Sequence, residues 1–331
     1  MQCVNLMTES AVSTLPMVSV VIPAKNEEAN IQRTLDALCD QDYPQHCYEI
    51  IVVDNLSEDR TADIALQNPR VTLLESSGTI ASVRNTGIEA AIGSVLAFID
   101  ADCIAPRHWL KRSVEHLMDD SAIGIVSSVL MLENQEGAPW VERYWIANHR
   151  YRFSREIVNV RTISSYCFCL RKEVLQEAGK FNPKLVTCED SELGYRVTAL
   201  GWKIVADKSI DVIHLENAKT LSQFFIRQLW QGRSNFENIR GRKFDFAELG
   251  SLAAPVVFSL SIVGSIVFAF AGYPLLMLAM LISILSVPAF IAYRKSPIKS
   301  MKDFFCFLII WSTYLIARSM AILISIERKR R

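Results

Sequence analysis

The sequence predicts an α/β protein with a mixed, mostly parallel sheet flanked by helices, followed by transmembrane helices near the carboxyl end. Three observations lead to this fold class. Short apolar runs alternate with amphipathic helical stretches from Val18 onward, a pattern typical of parallel strands that are buried on both faces. A long segment from Ser251 to Tyr293 contains no charged residue. Nine basic and only two acidic residues follow this segment, as at the cytoplasmic flank of membrane helices.

The first half of the chain predicts four buried strands, each followed by a helix. The strands are short and rich in β-branched residues, with apolar residues on both faces. The first helix has one apolar face, the second has an acidic first turn, and the third ends at Gly93. Asn26 and Ser57 are the expected caps of the first two helices. The predicted strands are Val18–Pro23, Tyr48–Asn55, Arg70–Ser76 and Val95–Asp102.

The second half is less regular. Between Pro106 and Gly179 we expect a helix, a strand, an aromatic and basic helix, and then a strand followed by a helix. A helix that closes at Gly201 and two short strands that end at Leu215 come next. A basic, aromatic helix from Leu221 then leads to the apolar segment.

The apolar segment is long enough for two membrane spans of about 20 residues each. Gly272-Tyr273-Pro274 breaks it, so the expected spans are residues 252–272 and 274–293. Basic residues flank this hairpin on both sides, which predicts that both of its ends lie in the cytoplasm. A third apolar segment, residues 304–325, is long enough to cross, but Arg318 interrupts it. Spanning the membrane and lying at its surface are therefore two open alternatives for this segment.

Composition narrows the class of protein further. Lys plus Arg and Asp plus Glu both total 35, so no excess of positive charge indicates a nucleic-acid partner. The eight cysteines include no C-x-x-C pair, which disfavours zinc and favours a reducing compartment. No secretory signal is visible in the first residues. We expect an extension (1–17), a cytoplasmic domain (18–245) and a membrane domain (246–331), placed in the inner membrane if the cell is bacterial.

Asp100 and Asp102 stand where the fourth apolar run ends abruptly in two acids. A solvated loop start is one explanation, since Asp is common wherever strands end. A cation site is the other, because open α/β sheets bind ligands at the carboxyl ends of their strands. The spacing of the two acids alone does not decide between these alternatives.

Five segments of the chain, in order and spacing, resemble family 2 glycosyltransferases. VSVVIPAKNEEANIQRTL, EIIVVDNLSEDRT and ASVRNTGIEAAIGSVLAFIDADC resemble the nucleotide-sugar half of that family. GKFNPKLVTCEDSELGYRVTALGWKI and VIHLENAKTLSQFFIRQLWQGRS resemble its acceptor half. The ordered set covers about Val18 to Arg233 and implies that residues 18–245 are a glycosyltransferase domain with the nucleotide-sugar fold called GT-A.

The resemblance implies a UDP- or GDP-linked sugar donor. Glu27 is then the expected contact with the nucleotide, and the guanidinium of Arg84 is suited to the diphosphate. A solvated helix charge is the structural alternative for Arg84. Asn55 stands where the family often has a second Asp, so the preferred base stays open. The expected donor-binding residues are Pro23, Ala24, Glu27, Asp54, Asn55, Arg84, Asp100 and Arg233.

The resemblance also gives the first acidic pair a role at the diphosphate. Asp102 resembles the direct metal ligand of the family, and Asp100 resembles a ribose or metal–water contact. His214 follows an apolar run where the family has a His near the metal, although a lone His is more often structural. The implied cofactor is Mn²⁺ or Mg²⁺, which stabilises the charge of a departing nucleoside diphosphate. The expected metal ligands are Asp102, Asp100 and His214.

Glu189 and Asp190 form a second acidic pair. Thr187 and Asp190 fit the S/T-x-x-D/E capping pattern, which would make this pair a structural helix start. The resemblance favours Asp190 as the general base that takes the proton of an acceptor hydroxyl, with Glu189 as its supporting partner. One base without an opposing nucleophile predicts inversion at the anomeric carbon.

Trp230 and Arg233 belong to a segment that partly resembles the Q-x-x-R-W element of processive polysaccharide synthases. Either residue could close over the diphosphate or the acceptor. The alternative is a basic, aromatic belt beside the membrane.

These features together predict a membrane-anchored, metal-dependent, inverting glycosyltransferase. Its acceptor would be a hydroxyl group, with a lipid-linked glycan or polysaccharide precursor expected because the anchor brings the enzyme close to lipids. A polyprenyl-phosphate sugar synthase, whose acceptor phosphate needs little help from a base, is the first alternative. A non-catalytic membrane adaptor that kept the fold is the second.

Overall fold

The computed structural model describes residues 15–134, 136–151, 153, 157–163, 165–233 and 246–328. Most of the expected amino-terminal extension, the expected domain boundary at residue 245 and the last three basic residues lie outside the described residues. The strands are β1 (Val18–Ala24), β2 (Tyr48–Asp54), β3 (Val71–Glu75), β4 (Val95–Ile99), β5 (Cys103–Ile104), β6 (Ile123–Met131), β7 (Ile157–Val160), β8 (Cys167–Arg171) and β9 (Lys203–His214). The helices are α1 (Ile31–Cys39), α2 (Thr61–Leu66), α3 (Ile80–Ala90), α4 (Trp109–Asp119), α5 (Trp140–Tyr151), α6 (Lys172–Ala178), α7 (Glu189–Ala199), α8 (Leu221–Gln231), α9 (Phe246–Phe270), α10 (Pro274–Lys295) and α11 (Met301–Arg328).

The described strands form one sheet in the order β3-β2-β1-β4-β8-β6-β9-β5, with β7 paired to β9. Strands β3, β2, β1 and β4 are parallel neighbours. Strand β8 runs antiparallel to both β4 and β6, and β9 runs parallel to β6. The predicted mixed, mostly parallel sheet is therefore confirmed. Because β9 consequently runs in the same direction as β4, their carboxyl ends meet at one edge of the sheet.

Helices cover both faces of this sheet. Successive residues of β1 enter opposite halves of the core, with Val20 and Ile22 in the cluster that contains Leu35 of α1. Val21 lies in the other cluster, with Val83 of α3. Because neither face of the strand meets water, every residue of β1 except Ser19 is apolar, and polar residues do not alternate along it.

The expected helix caps at Asn26 and Ser57 are wrong. Helix α1 begins only at Ile31, and Asn26 adopts a positive φ of 55°. The Asn26 backbone N–H donates to the Ser57 hydroxyl (2.9 Å), and that hydroxyl donates to Asp54 (2.5 Å). These hydrogen bonds connect the loop after β1 with the loop after β2. Asn26 and Ser57 therefore have their partners in these loops and not at the start of a helix.

Strand β9 is a single 12-residue strand where the sequence predicts two short ones. Its register with β6 shifts between Ser127 and Val129, where β6 advances two residues and β9 advances five. Asp207 closes this bulge by accepting hydrogen bonds from the Ser209 N–H and hydroxyl, both 2.7 Å long. The strand then continues to His214, which pairs with Cys103 of β5.

Three described helices, α9, α10 and α11, are long and apolar enough to cross a membrane. The predicted break between the first two is at Gly272, whose φ of +75° favours glycine. Helix α11 also packs on the α/β domain, because Ile310 contacts the buried Val141 of α5 and Phe224 of α8.

Candidate active site

The carboxyl ends of β1 and β2 bring together four of the expected donor-binding residues. Ala24 and Asp54, the last residues of these strands, lie opposite each other in register, and Pro23 precedes Ala24. The Asn55 N–H donates to the Ala24 carbonyl (2.8 Å). Asp54 is buried, and its carboxylate accepts hydrogen bonds from the Ser57 backbone and hydroxyl. These contacts hold the ends of β1 and β2 together at this edge of the sheet.

Three carboxylates gather at the neighbouring part of this edge. Glu27, Asp102 and Glu216 each place an oxygen within 4.8 Å of the others. The Asn30 side chain donates to both Glu27 (2.9 Å) and Glu216 (3.1 Å). Burial, opposed by the Asn30 hydrogen bond and reinforced by the charges of Asp102 and Glu216, raises the pKa of Glu27 to about 7. This accumulation of negative charge suits a cation.

Asp102 and His214 provide two ligand atoms that converge. His214 Nδ1 lies 3.3 Å from Asp102 Oδ2 without the geometry of a hydrogen bond, and it has no hydrogen-bond partner among the described residues. Burial lowers the pKa of His214 to about 4, so the imidazole is neutral and its lone pair is available at neutral pH. Burial raises the pKa of Asp102 to about 6, with the Arg227 charge acting in the opposite direction.

The chemistry of this donor set fits a divalent transition ion. Carboxylate oxygens suit both Mg²⁺ and Mn²⁺, and an imidazole nitrogen favours a transition metal. The Cys103 sulfur also lies within 4.8 Å of the Asp102 and His214 ligand atoms. Burial raises the pKa of this thiol well above its usual value, so without an ion it is neutral at pH 7.

Arg84 joins the two acidic pairs. Its side chain is 1% exposed, so the alternative of a solvated helix charge is wrong. It donates to Glu189 Oε1 (2.6 Å), to Asp100 Oδ1 (3.0 Å) and to the Ser165 carbonyl (3.0 Å). Burial outweighs this partner and raises the pKa of Asp100 above its usual range. The expected contact of Arg84 with a diphosphate stays a prediction.

Asp190 occupies the second position of α7, beside Glu189. Burial, then the charge of Glu189, raises its pKa to about 7, although its carboxylate accepts the Ser191 N–H (2.6 Å). The capping explanation for this pair is wrong. Cys188, with a φ of 65°, precedes the helix without a side-chain cap, and the Thr187 hydroxyl donates to the Gln231 carbonyl (3.3 Å).

Sequence reasoning missed Glu216, Asn30 and Arg227. Glu216 follows His214 by two residues at the same strand end, a signal that could have identified it. Arg227, in the second turn of α8, donates to the Glu216 backbone carbonyl, and only the fold brings it near Asp102. Arg233 lies two residues after the end of α8, and its backbone N–H donates to the Trp230 carbonyl. Its role at the diphosphate stays a prediction.

The profile of Glycosyl transferase family 2 matches residues 19–179. Glycosyltransferase AglE from Haloferax volcanii is 32% identical over 233 residues, which cover 68% of this chain and 75% of AglE. The chain belongs to glycosyl transferase family 2. The resemblance of its motifs to this family is thereby confirmed, and the protein is a glycosyltransferase.

Solved structures show the same fold. The mannosyltransferase PcManGT from Pyrobaculum calidifontis, in complex with GDP-Man and Mn²⁺, aligns over 96% of this family 2 chain and 89% of its own, with a TM-score of 0.63 and 20% identity. Residues 1–349 of S. aureus TarS, in complex with UDP-GlcNAc, align over 93% of this chain and 92% of that fragment, with a TM-score of 0.51 and 17% identity. These likenesses confirm the GT-A-like fold.

Proposed function

We propose that the protein is a membrane-anchored, Mn²⁺-dependent, inverting glycosyltransferase. It transfers a sugar from a UDP- or GDP-linked donor to a hydroxyl group of a lipid-linked glycan or polysaccharide precursor. The convergence of Asp102 Oδ2 and His214 Nδ1, buried and 3.3 Å apart at the carboxyl edge of the sheet, is the observation that carries this proposal. The donors named for PcManGT and TarS differ in their base, which leaves both UDP and GDP as candidates.

In this proposal the donor lies against the carboxyl ends of β1 and β2, and its diphosphate points towards Asp102 and His214. A divalent ion, when bound, stabilises the negative charge that develops on the departing nucleoside diphosphate. Asp102 and His214 would hold it, and Glu27 adds negative charge to the same site. Asp100, held by Arg84, lies between this cluster and the second acidic pair.

Asp190 acts as the general base towards the acceptor. Its pKa of about 7 makes it strong enough to accept a hydroxyl proton and still partly ionised at neutral pH. The Glu189 carboxylate is not free to approach the acceptor hydroxyl, because Arg84 donates a hydrogen bond to it. A single base and direct attack on the anomeric carbon give inversion of configuration.

The membrane part has two spans and one interfacial helix in this proposal. Basic residues flank the hairpin of α9 and α10, so both of its ends face the cytoplasm. The Trp311 indole donates to Ser296, just after α10, and the Ser319 hydroxyl donates to the Pro255 carbonyl near the start of α9. These two contacts are about 12 Å apart along α11, yet both lie near the cytoplasmic end of the hairpin. Helix α11 therefore runs across this end.

Two alternatives make different predictions. In a polyprenyl-phosphate sugar synthase the acceptor is already an anion, so Asp190→Asn should change the rate little. A catalytically inert adaptor should turn over no donor at all.

The deciding experiment is a screen of UDP- and GDP-sugars for Mn²⁺-dependent donor hydrolysis by the detergent-solubilised full chain. We expect one donor to be hydrolysed, with loss of activity in chelator and a decrease of about 10²-fold or more in Asp102→Ala. Asp36→Ala removes an exposed carboxylate from α1 and is the matched control. Turnover that survives both chelator and Asp102→Ala would contradict the proposal.

A further inference from the structure

Cys103 lies beside the proposed metal ligands and has no role in the function proposed above. It begins β5 and stands directly opposite His214 of β9 in an antiparallel pair. Residues that face each other in this way project from the same side of a sheet, with Cβ atoms about 5 Å apart. The Cys103 sulfur, a carboxylate oxygen of Asp102 and a ring nitrogen of His214 all lie within 4.8 Å of one another.

The hydrogen bonds around this group leave its ligand atoms facing one another. The Cys103 N–H donates to the Asp100 carbonyl (3.0 Å), which closes a turn that contains Asp102. The thiol donates to Asp102 Oδ1 (3.7 Å). His214 Nδ1 is buried 3.3 Å from Asp102 Oδ2 and has no hydrogen-bond partner among the described residues. The carboxylate therefore has the thiol beside one oxygen and the imidazole nitrogen beside the other.

A buried cysteine is usually only a small apolar core residue. Cys169 of β8 is an example, since it is as fully buried as Cys103 but belongs to no such group of ligand atoms in the part of the chain that the structure describes. The same explanation would account for the burial of Cys103. It would not account for a buried imidazole nitrogen without a hydrogen bond beside both a thiol and a carboxylate.

Sulfur, imidazole nitrogen and carboxylate oxygen are the three ligand types that Zn²⁺ takes in proteins. Mn²⁺ prefers oxygen, and it stands lower than Zn²⁺ in the affinity order of divalent ions. A zinc ion would replace the thiol proton, which is released to solvent as the bond between sulfur and metal forms. The missing C-x-x-C pair in the sequence does not exclude such a site, because its ligands come from two paired strands and not from one short segment.

We propose that Asp102, Cys103 and His214 bind Zn²⁺ more tightly than Mn²⁺, and that bound Zn²⁺ inhibits the enzyme. A tetrahedral zinc ion with three protein ligands has one open position. A diphosphate that binds an ion through an oxygen of each phosphate needs two open positions. Zinc binding does not depend on the proposed function, whereas the inhibition rests on it, because the same pocket then holds the ion that serves the donor.

The first experiment measures metal binding to the metal-free full chain in detergent, without donor. Co²⁺ is the spectroscopic probe, because it adopts the tetrahedral geometry of Zn²⁺ and gives a near-ultraviolet charge-transfer band when it is bonded to a thiolate. We expect this band in the wild type and its loss in Cys103→Ser. The zinc affinity of this variant should fall by about 10²-fold or more, since even the loss of a group that supports a ligand costs about 10–100-fold.

Cys169→Ser is the matched control, because it makes the same change at an equally buried thiol. It should keep both the cobalt band and the zinc affinity of the wild type. The affinity for Mn²⁺ should depend far less on Cys103 than the affinity for Zn²⁺ does, because Mn²⁺ prefers oxygen ligands. A wild type without the band, or a band that survives in Cys103→Ser, would overturn the inference.

The second experiment adds Zn²⁺ to the Mn²⁺-dependent hydrolysis of the donor, with each rate expressed as a fraction of the same variant's rate without zinc. We expect Zn²⁺ to compete with Mn²⁺, and the inhibiting zinc concentration to rise about 10²-fold in Cys103→Ser. Zinc that binds without slowing hydrolysis would overturn the inhibitory role.

The thermal unfolding midpoint identifies a variant that fails to fold. If Cys103→Ser does, His214→Ala decides, because removal of the nitrogen ligand should also lower the zinc affinity, and an unchanged affinity would contradict the site. A cobalt–thiolate band in a chain that hydrolyses no donor would sink the proposed function and leave the zinc site intact. Mn²⁺-dependent hydrolysis by a wild type without the band would do the reverse.

Discussion

Arg84 sets the relative position of the two halves of the site. A single fully buried guanidinium pairs with Asp100, two residues before the proposed metal ligand Asp102, and with Glu189, one residue before the proposed base Asp190. These partners are 16 and 105 residues away in sequence. Because one cation faces two carboxylates in a buried setting, neither carboxylate can lose this partner without a large penalty. Arg84 is therefore best described as a positioning residue.

We expect Arg84→Met to lower the free energy of unfolding by about 3–5 kcal/mol, since it leaves the buried Glu189 carboxylate and the partly buried Asp100 carboxylate without their cation. Chemical denaturation in detergent measures this loss. Lys203→Met, which breaks the exposed pair with Asp120, is the control and should cost no more than about 1 kcal/mol. Equal losses in the two variants would show that Arg84 does not have this role.

Asp190 should give the transfer reaction its pH dependence. Its pKa is raised to about 7, so below that pH the carboxyl group is protonated and cannot accept a proton. The single-turnover transfer rate should therefore fall about tenfold per pH unit below 7 and level off above it. Asp190→Asn should abolish this step and lower the rate by about 10²–10⁴-fold. A flat profile together with an active Asp190→Asn would favour the polyprenyl-phosphate alternative.

The sequence anticipated Asp102 and His214 together, because motif order places both at strand ends. It did not anticipate that Arg84 binds Glu189, since the contact depends on how α3 and α7 pack on the sheet. The capping pattern at Thr187 misled for a similar reason. Its hydroxyl has a better acceptor in α8, which no local pattern reveals.

At the scale of elements, α11 packs closely against Gly232, the residue that follows α8. A Cβ on this residue would lie 2.5 Å from the Ala321 Cβ and 3.3 Å from the Arg318 Cδ. The first distance is shorter than real carbon contacts, so the two helices would have to separate. Only a glycine lets α11 hold Arg318 against the end of α8.

Gly232→Ala should therefore destabilise the protein by about 1–3 kcal/mol through overpacking. Ala321→Gly in the same chain should recover part of this loss, despite the cost of a glycine inside a helix. A double-mutant cycle of unfolding free energies measures the coupling between the two positions. Additive losses would mean that the two helices do not depend on this contact.

Long apolar helices were predictable because length and composition alone identify them. The apolar helices α9 and α10, the break at Gly272 and the strands β1 to β4 were all anticipated from such local patterns. The bulge in β9 was not, because it depends on the register with β6. The direction of α11 was left open for the same reason, since its contacts with Ser296 and Pro255 depend on tertiary packing.

At the scale of the whole molecule, the arrangement makes a prediction about topology. If α11 runs across the cytoplasmic end of the hairpin, both the catalytic unit and the carboxyl terminus face the cytoplasm. In a bacterial host, a carboxyl-terminal alkaline phosphatase fusion should then be inactive and a green fluorescent protein fusion fluorescent. Fusions placed after Gly272 are the control and should show the opposite pattern. An active phosphatase at the terminus would establish a third crossing.

The position of β9 has a consequence for biosynthesis. Among the described strands, β9 comes last along the chain, and it contributes His214, whose Nδ1 lies beside the Asp102 carboxylate. Each described strand is therefore translated before Phe246, where the first described apolar helix begins. Because domains tend to fold as units while the ribosome is still working, the nascent chain can bring His214 to Asp102 before helices α9, α10 and α11 are translated.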